Sequence, residues 1–332
     1  MMIDIKSLLK KEIRKFEVGD KFISGFKELT GKLEVPSIHF PELIGIEISS
    51  ICNLSCVHCP PQTESSSPKH SMMDYDLFLK IIDEIDSVGK RRIALHKDGE
   101  PLIYPKIINV LERLKLNHEH EVYLTSNAHK LNKSISESIL KNRVDIINFS
   151  LGAATEPFYK KVRGGNFGYV IKNIIAFLEM SENYKTKPLI KIQIINLPEF
   201  PEMAEELKLF KEFWSAYPVK IEEWDKLTWG LYDNSDSVSY RYPCYSLWNS
   251  MDINSDGTVS TCCMDWKHEL IIGNINTVSL REVWHSESLN NLRIAHKKDN
   301  GISIEQCAGC NYWHWQPRLS NYPLSKMVNS KS

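Results

Sequence analysis

An α/β fold is what this sequence predicts: a parallel sheet curved into a partial six-stranded (β/α) barrel, followed by a small C-terminal unit built from a β-hairpin and a helix. Three observations carry that reading. Six apolar, β-branched runs alternate with helix-period segments between residues 43 and 222. Such repeats imply parallel strands joined by right-handed crossovers. Three cysteines crowd the loop directly after the first run, and ligands collect at the carboxyl ends of strands in such folds. Past residue 225 the alternation stops, and a hairpin pattern with further cysteines replaces it.

Taken in order, residues 1–36 read as an amphipathic helical arm, with Ile3, Ile5, Leu8, Leu9, Ile13 and Phe16 at helix-like spacing. Both charge signs lie on it, which favours an arm packed over the open end of the barrel rather than a membrane-surface helix. The barrel is expected over 37–225, with strands at 43–49, 92–96, 121–125, 144–151, 189–195 and 219–222. Helices are expected near 74–87, 105–116, 134–142, 169–182 and 200–216. Asp74 suits the first as N-cap, and Pro105 opens the second as a first-turn residue. Residues 226–241 are polar and read as a linker, and 242–332 form the C-terminal unit. There the hairpin runs from a strand at 248–253 through Asp256-Gly257 to a strand at 258–262, followed by a helix near 279–297.

Composition excludes several classes. The 332 residues carry 41 basic and 42 acidic side chains, so no basic excess points to nucleic acid. No run approaches the ~20 apolar residues of a membrane span. The N-terminus lacks the uncharged apolar core of a signal peptide, and eight cysteines without such a signal read as metal ligands in a reducing, cytoplasmic setting.

The central motif is Cys52-Asn53-Leu54-Ser55-Cys56-Val57-His58-Cys59. Pro60 and Pro61 follow, and they are expected to forbid a helix there. Soft thiolates on a loop suit an iron–sulfur cluster or zinc. Three ligands leave one metal corner open to something that is not protein, which argues for catalysis.

This C-x3-C-x2-C loop resembles the cluster loop of the radical S-adenosylmethionine (radical SAM) enzymes. That resemblance implies a partial (β/α)6, TIM-like barrel. It implies a 4Fe–4S cluster on Cys52, Cys56 and Cys59, with SAM on the open iron. Reductive cleavage of SAM would yield a 5′-deoxyadenosyl radical that removes a hydrogen atom from substrate. Lys97-Asp98-Gly99-Glu100-Pro101 is similar to the family's glycine–glutamate turn beside the SAM amino group, with Asp98 where the family has glycine. Thr125-Ser126-Asn127 is similar to a second SAM-side turn. By the same resemblance His58 lies near the adenine, Ser150 contacts the ribose, and Arg163 reaches the SAM carboxylate.

The remaining thiols resemble the SPASM extension in its shortened, twitch form. Cys244, Cys262, Cys307 and Cys310 would hold one auxiliary 4Fe–4S cluster. A zinc ribbon is the alternative for four such thiols. Cys263 is surplus. Adjacent strand residues face opposite sides, so it is not expected to share a metal with Cys262. It is either an idle neighbour or a hydrogen-atom donor.

Three functions follow as expectations. The first is oxidation of a carbinol carbon in a sugar or aminocyclitol, with His96, Lys97 or Asp98 as proton acceptor, similar to the family's aminocyclitol dehydrogenase. The second is an epimerase or peptide-modifying enzyme that uses Cys263. The third is a non-catalytic iron–sulfur or zinc binding protein. Either enzyme needs a reductant such as flavodoxin or ferredoxin. Trp224, Trp229, Tyr232 and Tyr240 are candidates to line a carbohydrate pocket.

Overall fold

β1 (Leu43–Ile46) is the strand around which the molecule is arranged, because it is paired on both sides by parallel neighbours. The computed structural model describes residues 39–65, 68, 70–116, 120–227, 242–310 and 312–315. The expected N-terminal arm and residues 228–241 of the linker, with Trp229, Tyr232 and Tyr240, lie outside the described residues. On one side of β1 come β2 (Arg92–Leu95), β3 (Glu121–Ser126), β4 (Ile146–Ser150), β5 (Leu189–Asn196) and β6 (Lys220–Asp225), all parallel. On the other side lies β7 (Ser250–Ile253), parallel to β1, followed by the antiparallel strands β8 (Thr258–Ser260) and β9 (Ile271–Asn274). The order β6-β5-β4-β3-β2-β1-β7-β8-β9 describes an open sheet, so the barrel is partial.

Side-chain alternation gives the sheet two different faces. In β3, Val122 and Leu124 are buried while Tyr123 and Thr125 are half-buried. The buried set meets the helices outside the sheet, and the other set faces its inner side. Register places Thr125, Asn148 and Lys191 in one row, and Asn148 Nδ2 donates to Gln193 Oε1 at 2.7 Å. The inner face is therefore polar. The outer face is apolar, covered by α2 (Tyr75–Asp86), α3 (Ile107–Leu114), α4 (Lys133–Lys141), α6 (Phe167–Ser181) and α7 (Met203–Trp214). Phe78, Ile81, Ile82 and Ile85 show the helix-period stripe on α2, and Asp74 caps it by accepting from Asp76 N and Leu77 N.

The structure corrects the sequence reading at several places. Pro60 and Pro61 do not forbid a helix: they open α1 (Pro60–Thr63). First-turn N–H groups have no partner within the helix, so proline costs nothing there. An unexpected α5 (Glu156–Val162) precedes Arg163, and Thr155 caps it. The expected 279–297 helix is two, α9 (Leu280–Trp284) and α10 (Glu287–Asp299), because Ser286 caps a new start by accepting from Leu289 N. β8 ends at Ser260, so Cys262 and Cys263 sit on a turn rather than a strand, and strand alternation does not govern them. α8 (Ser246–Asn249) and β9 complete the C-terminal unit, with α11 (Glu305–Ala308) at its end. That unit does not stand apart from the barrel sheet but continues it through β7.

Candidate active site

The loop after β1 carries Cys52, Cys56 and Cys59. Cys56 is buried, and the other two are half-buried. The loop is fastened at several points. Ser50 N donates to Ser71 O, Val57 N to Val162 O, and Gln62 Nε2 to Asp98 O at 2.8 Å. Burial, reinforced by the neighbouring sulfurs, pushes the Cys59 thiol up to about 12. Burial likewise raises Cys52 to about 11. The free thiols thus keep their protons, and a metal must displace them to bind. Among the described residues no three His, Cys, Asp or Glu side chains stand at ligating geometry as they are. The sulfurs share one loop and one electrostatic field rather than a finished cage.

At the end of β2, Gly99 lies against the cluster loop. A Cβ on it would stand 2.2 Å from Ser49 O and 2.7 Å from Ile51 O. Glu100 N donates to Ile51 O at 2.9 Å, and Pro101 opens a short 3-10 turn. The Glu100 carboxylate is buried. It accepts from Leu102 N at 3.0 Å, Ser126 Oγ at 2.7 Å and Asn127 N at 2.7 Å. Asn127 Nδ2 in turn donates to Asn53 Oδ1 at 3.0 Å and lies 3.8 Å from Cys52 Sγ. One carboxylate therefore ties the turns after β2 and β3 to the thiol loop.

Arg163, at the end of α5, is buried. Its guanidinium donates to the Ser150 carbonyl, and its Nη1 lies 3.4 Å from His58 Nε2. Burial opposes its charge, but Cys56, Tyr159, Cys52 and Cys59 more than offset that and hold it above its usual range. Burial, then Arg163, pulls His58 down to about 3, so its ring is neutral. Arg163 Nε has no hydrogen-bond partner. Sequence reasoning brought His58, Ser150 and Arg163 forward separately, and the structure joins them through Arg163, which reaches the Ser150 carbonyl rather than its hydroxyl.

A second group was largely missed. Glu47, buried in the strand-end segment, accepts from Asp98 N at 2.9 Å and from Ser255 N at 3.2 Å. Lys97 Nζ donates to Asn254 Oδ1 at 2.6 Å and lies 3.6 Å from Asp98 Oδ2. His268 Nε2 lies 3.4 Å from the same oxygen. Burial first, with Lys97 opposing, raises Asp252 to about 6. A glutamate inside an apolar run was the one signal available, since buried carboxylates need partners. His96 sits at the end of β2 against the Tyr123 ring, with centroids 5.0 Å apart, and burial pulls it down to about 4.

In the C-terminal unit, Cys262 lies in the field of Cys263, Cys310, Cys244 and Cys307. Burial, then these sulfurs, lifts it well above the usual thiol range. Cys310 N donates to Cys307 O at 3.1 Å, and Tyr312 N to Cys310 Sγ at 3.3 Å. Cys263 has a second set of neighbours besides Cys262. Burial raises it, and its principal neighbours are Asp252, Tyr312, Lys97 and Asp98.

Comparison with known proteins agrees with this geometry. Residues 46–210 match the Radical SAM superfamily, and residues 244–311 match the SPASM iron–sulfur cluster-binding domain. The chain belongs to the radical SAM superfamily and carries a SPASM domain. Membership implies a 4Fe–4S cluster with SAM and auxiliary iron–sulfur binding, and three thiols beside a buried arginine fit the first of these.

Among curated relatives, GTP 3′,8-cyclase of Desulforamulus reducens is 26% identical over 180 residues, 52% of this chain and 55% of that protein. AdoMet-dependent heme synthase of Methanosarcina barkeri is 32% identical over 124 residues, 37% of this chain and 35% of that protein. The chain spans about half the length of the curated relatives it matches first. Among solved structures, BtrN with AdoMet and 2-DOIA aligns at TM-score 0.58 and 16% identity, over 82% of this chain and 93% of that one. Streptococcus suis SuiB bound to precursor peptide SuiA aligns at 0.58 and 17%, over 88% and 74%. These likenesses concern the fold. No described helix is long and apolar enough to cross a membrane.

Proposed function

We propose that this chain is a radical SAM oxidoreductase that converts a carbinol carbon of a sugar or aminocyclitol to a ketone. The observation that carries this reading is that Cys262 lies in the field of Cys310, Cys244 and Cys307, as well as of adjacent Cys263, on a unit whose first strand is hydrogen-bonded to β1. Bound at the two thiol groups, the clusters and SAM supply one-electron chemistry: SAM cleavage at Cys52, Cys56 and Cys59, electron uptake at the other four. On this reading Gly99, Glu100, Pro101, Ser126, Asn127, Ser150, His58 and Arg163 hold SAM. Residues 37–225 and 242–332 act as the barrel and auxiliary units, and flavodoxin or ferredoxin delivers the electron.

The proton acceptor follows by comparing three neighbours. His96 is a weak base, since burial holds it near 4. Burial opposes the Lys97 charge, but Asp98 and Glu47 raise its pKa, so it stays an ammonium. Asp98 is left: it is buried, and its Oδ1 has no hydrogen-bond partner. It takes the hydroxyl proton as the carbon loses its hydrogen atom.

A second reading has its own support. Cys263 adjoins Cys262 but also shares the field of Asp252, Lys97 and Asp98, which suits a hydrogen-atom donor in an epimerase. Substrate deuterated at the carbinol carbon separates the two. Oxidation puts deuterium into 5′-deoxyadenosine and yields a ketone, and Cys263→Ala still does so. Epimerisation leaves solvent hydrogen on the inverted carbon and stops with Cys263→Ala. Absence of 5′-deoxyadenosine from reduced, SAM-loaded protein overturns both.

A further inference from the structure

The four thiols of the C-terminal unit come from three separate segments, and each segment needs something to aim its sulfur. Cys307 and Cys310 belong to α11 and the turn after it, where Cys307 N donates to Ile304 O at 2.9 Å and Cys310 N to Cys307 O at 3.1 Å. Cys262 sits in a turn closed by Asp265 N, which donates to Cys262 O at 3.2 Å. Cys244 lies outside helix and strand, just before α8. Its backbone N–H goes to a side chain 52 residues further on: it donates to His296 Nδ1 at 3.2 Å.

His296 is 1% exposed and lies in the last turn of α10. One turn earlier on the same face, Arg293 Nε donates to Leu247 O at 2.8 Å, and its guanidinium lies over the Trp284 ring, 4.4 Å from the centroid. Helix α10 thus grips the 244–247 backbone at two points, accepting at one and donating at the other. Gly301 confines the imidazole. Its φ of 78 is in the left-handed region, and a Cβ there would stand 2.4 Å from both Cε1 and Nε2 of His296. Glycine alone meets that conformation and that contact without strain. An Nδ1 that accepts a hydrogen bond carries no proton, so the ring proton is on Nε2.

Groups that orient a metal's ligands without binding the metal decide how well the centre is held. We propose that His296 is a positioning residue for the auxiliary cluster, its Nδ1 fixing the Cys244 backbone so that this thiol meets Cys262, Cys307 and Cys310. The inference rests on the reading of these four thiols as cluster ligands, and adds to it a residue that is not itself a ligand.

Iron content and electron paramagnetic resonance of the anaerobically reconstituted chain test it without any substrate. Wild type is expected to hold about eight irons per chain, and His296→Leu about four. The SAM-induced change in the spectrum of the other cluster should persist in His296→Leu, which separates the loss of one ligand's support from general unfolding. His296→Asn sets a carboxamide oxygen close to where Nδ1 stands, and is expected to keep the full iron content. Gly301→Ala displaces the ring and should lose auxiliary iron as His296→Leu does. Full iron in His296→Leu, or loss of auxiliary iron in His296→Asn, overturns the proposal. Hydrogen–deuterium exchange needs no variant: the Cys244 amide of wild type should be protected, and exchange at the rate of an open chain also overturns the proposal. About four irons in wild type would remove the auxiliary-cluster reading and the role of His296 together.

Discussion

The Glu100 carboxylate receives the backbone N–H of Asn127 at 2.7 Å, so the turns that follow two neighbouring strands are held by a single buried group. The Ser126 hydroxyl occupies its other oxygen at 2.7 Å. Glu100→Gln replaces an all-acceptor group with one that presents N–H to these donors. A destabilisation of about 2–3 kcal/mol is expected, with loss of SAM binding. Urea unfolding and SAM titration check it. Unchanged SAM affinity would show that the β3 turn does not depend on this carboxylate.

Gly99 touches backbone, not flexible side chains. A methyl group there meets Ser49 O at 2.2 Å and the Ser50 carbonyl carbon at 2.6 Å. Gly99→Ala must push the thiol loop away from β2, at a cost of roughly 2–3 kcal/mol. The expected outcome is a lower melting temperature together with loss of the SAM-induced change in the reduced-cluster electron paramagnetic resonance spectrum. A wild-type spectrum in this variant would refute the contact.

Iron content separates the thiol groups. Cys56→Ala should lower iron by about four atoms per chain, and Cys310→Ala by a similar number, whereas Cys263→Ala should lower neither. Only Cys56→Ala should abolish SAM cleavage outright. Zinc in place of the iron lost with Cys310→Ala would mark the C-terminal thiols as a ribbon.

Two half-buried groups give the stability profile opposite slopes. Asp252 ionises near 6 instead of 3.8, chiefly through burial, so its contribution is present below pH 3.8 and lost as pH rises through about 6. Asp252→Asn should therefore stabilise the protein by about 3 kcal/mol above that range, and little below it. His96, lowered by burial from 6.5 to about 4, contributes above pH 6.5 and loses that contribution as pH falls through about 4. His96→Phe keeps a ring beside Tyr123 and should flatten the acid limb. Thermal melts from acid to neutral pH check both slopes, and parallel wild-type and variant profiles would contradict the assignment.

Much of the molecule was legible in the sequence because its signals are local. Strand and helix periods are set by neighbours a few residues apart, which is why α2 starts after Asp74 and why β3 lies where the 121–125 run puts it. Cysteine spacing on one loop, and Asp98-Gly99-Glu100-Pro101 at the end of the next strand, mark the site for the same reason. Proline misled where its rule was taken too broadly, at Pro60 and Pro61, which begin a helix rather than prevent one, and Pro105, expected in the first turn of α3, lies just before its cap residue Lys106.

Pairings between distant segments were decided by the tertiary structure alone. Ser255 donates to Glu47 across 208 residues, and β7 lies parallel to β1, yet neither segment carries a periodic trace of the other. His268 reads as an ordinary polar residue in a turn until the fold sets it 3.4 Å from Asp98. Periodicity and spacing therefore determined the barrel strands and the thiol loops. Which buried carboxylate meets which distant donor was settled by packing and by the cost of leaving a charge unpaired, and these act only once the chain is folded.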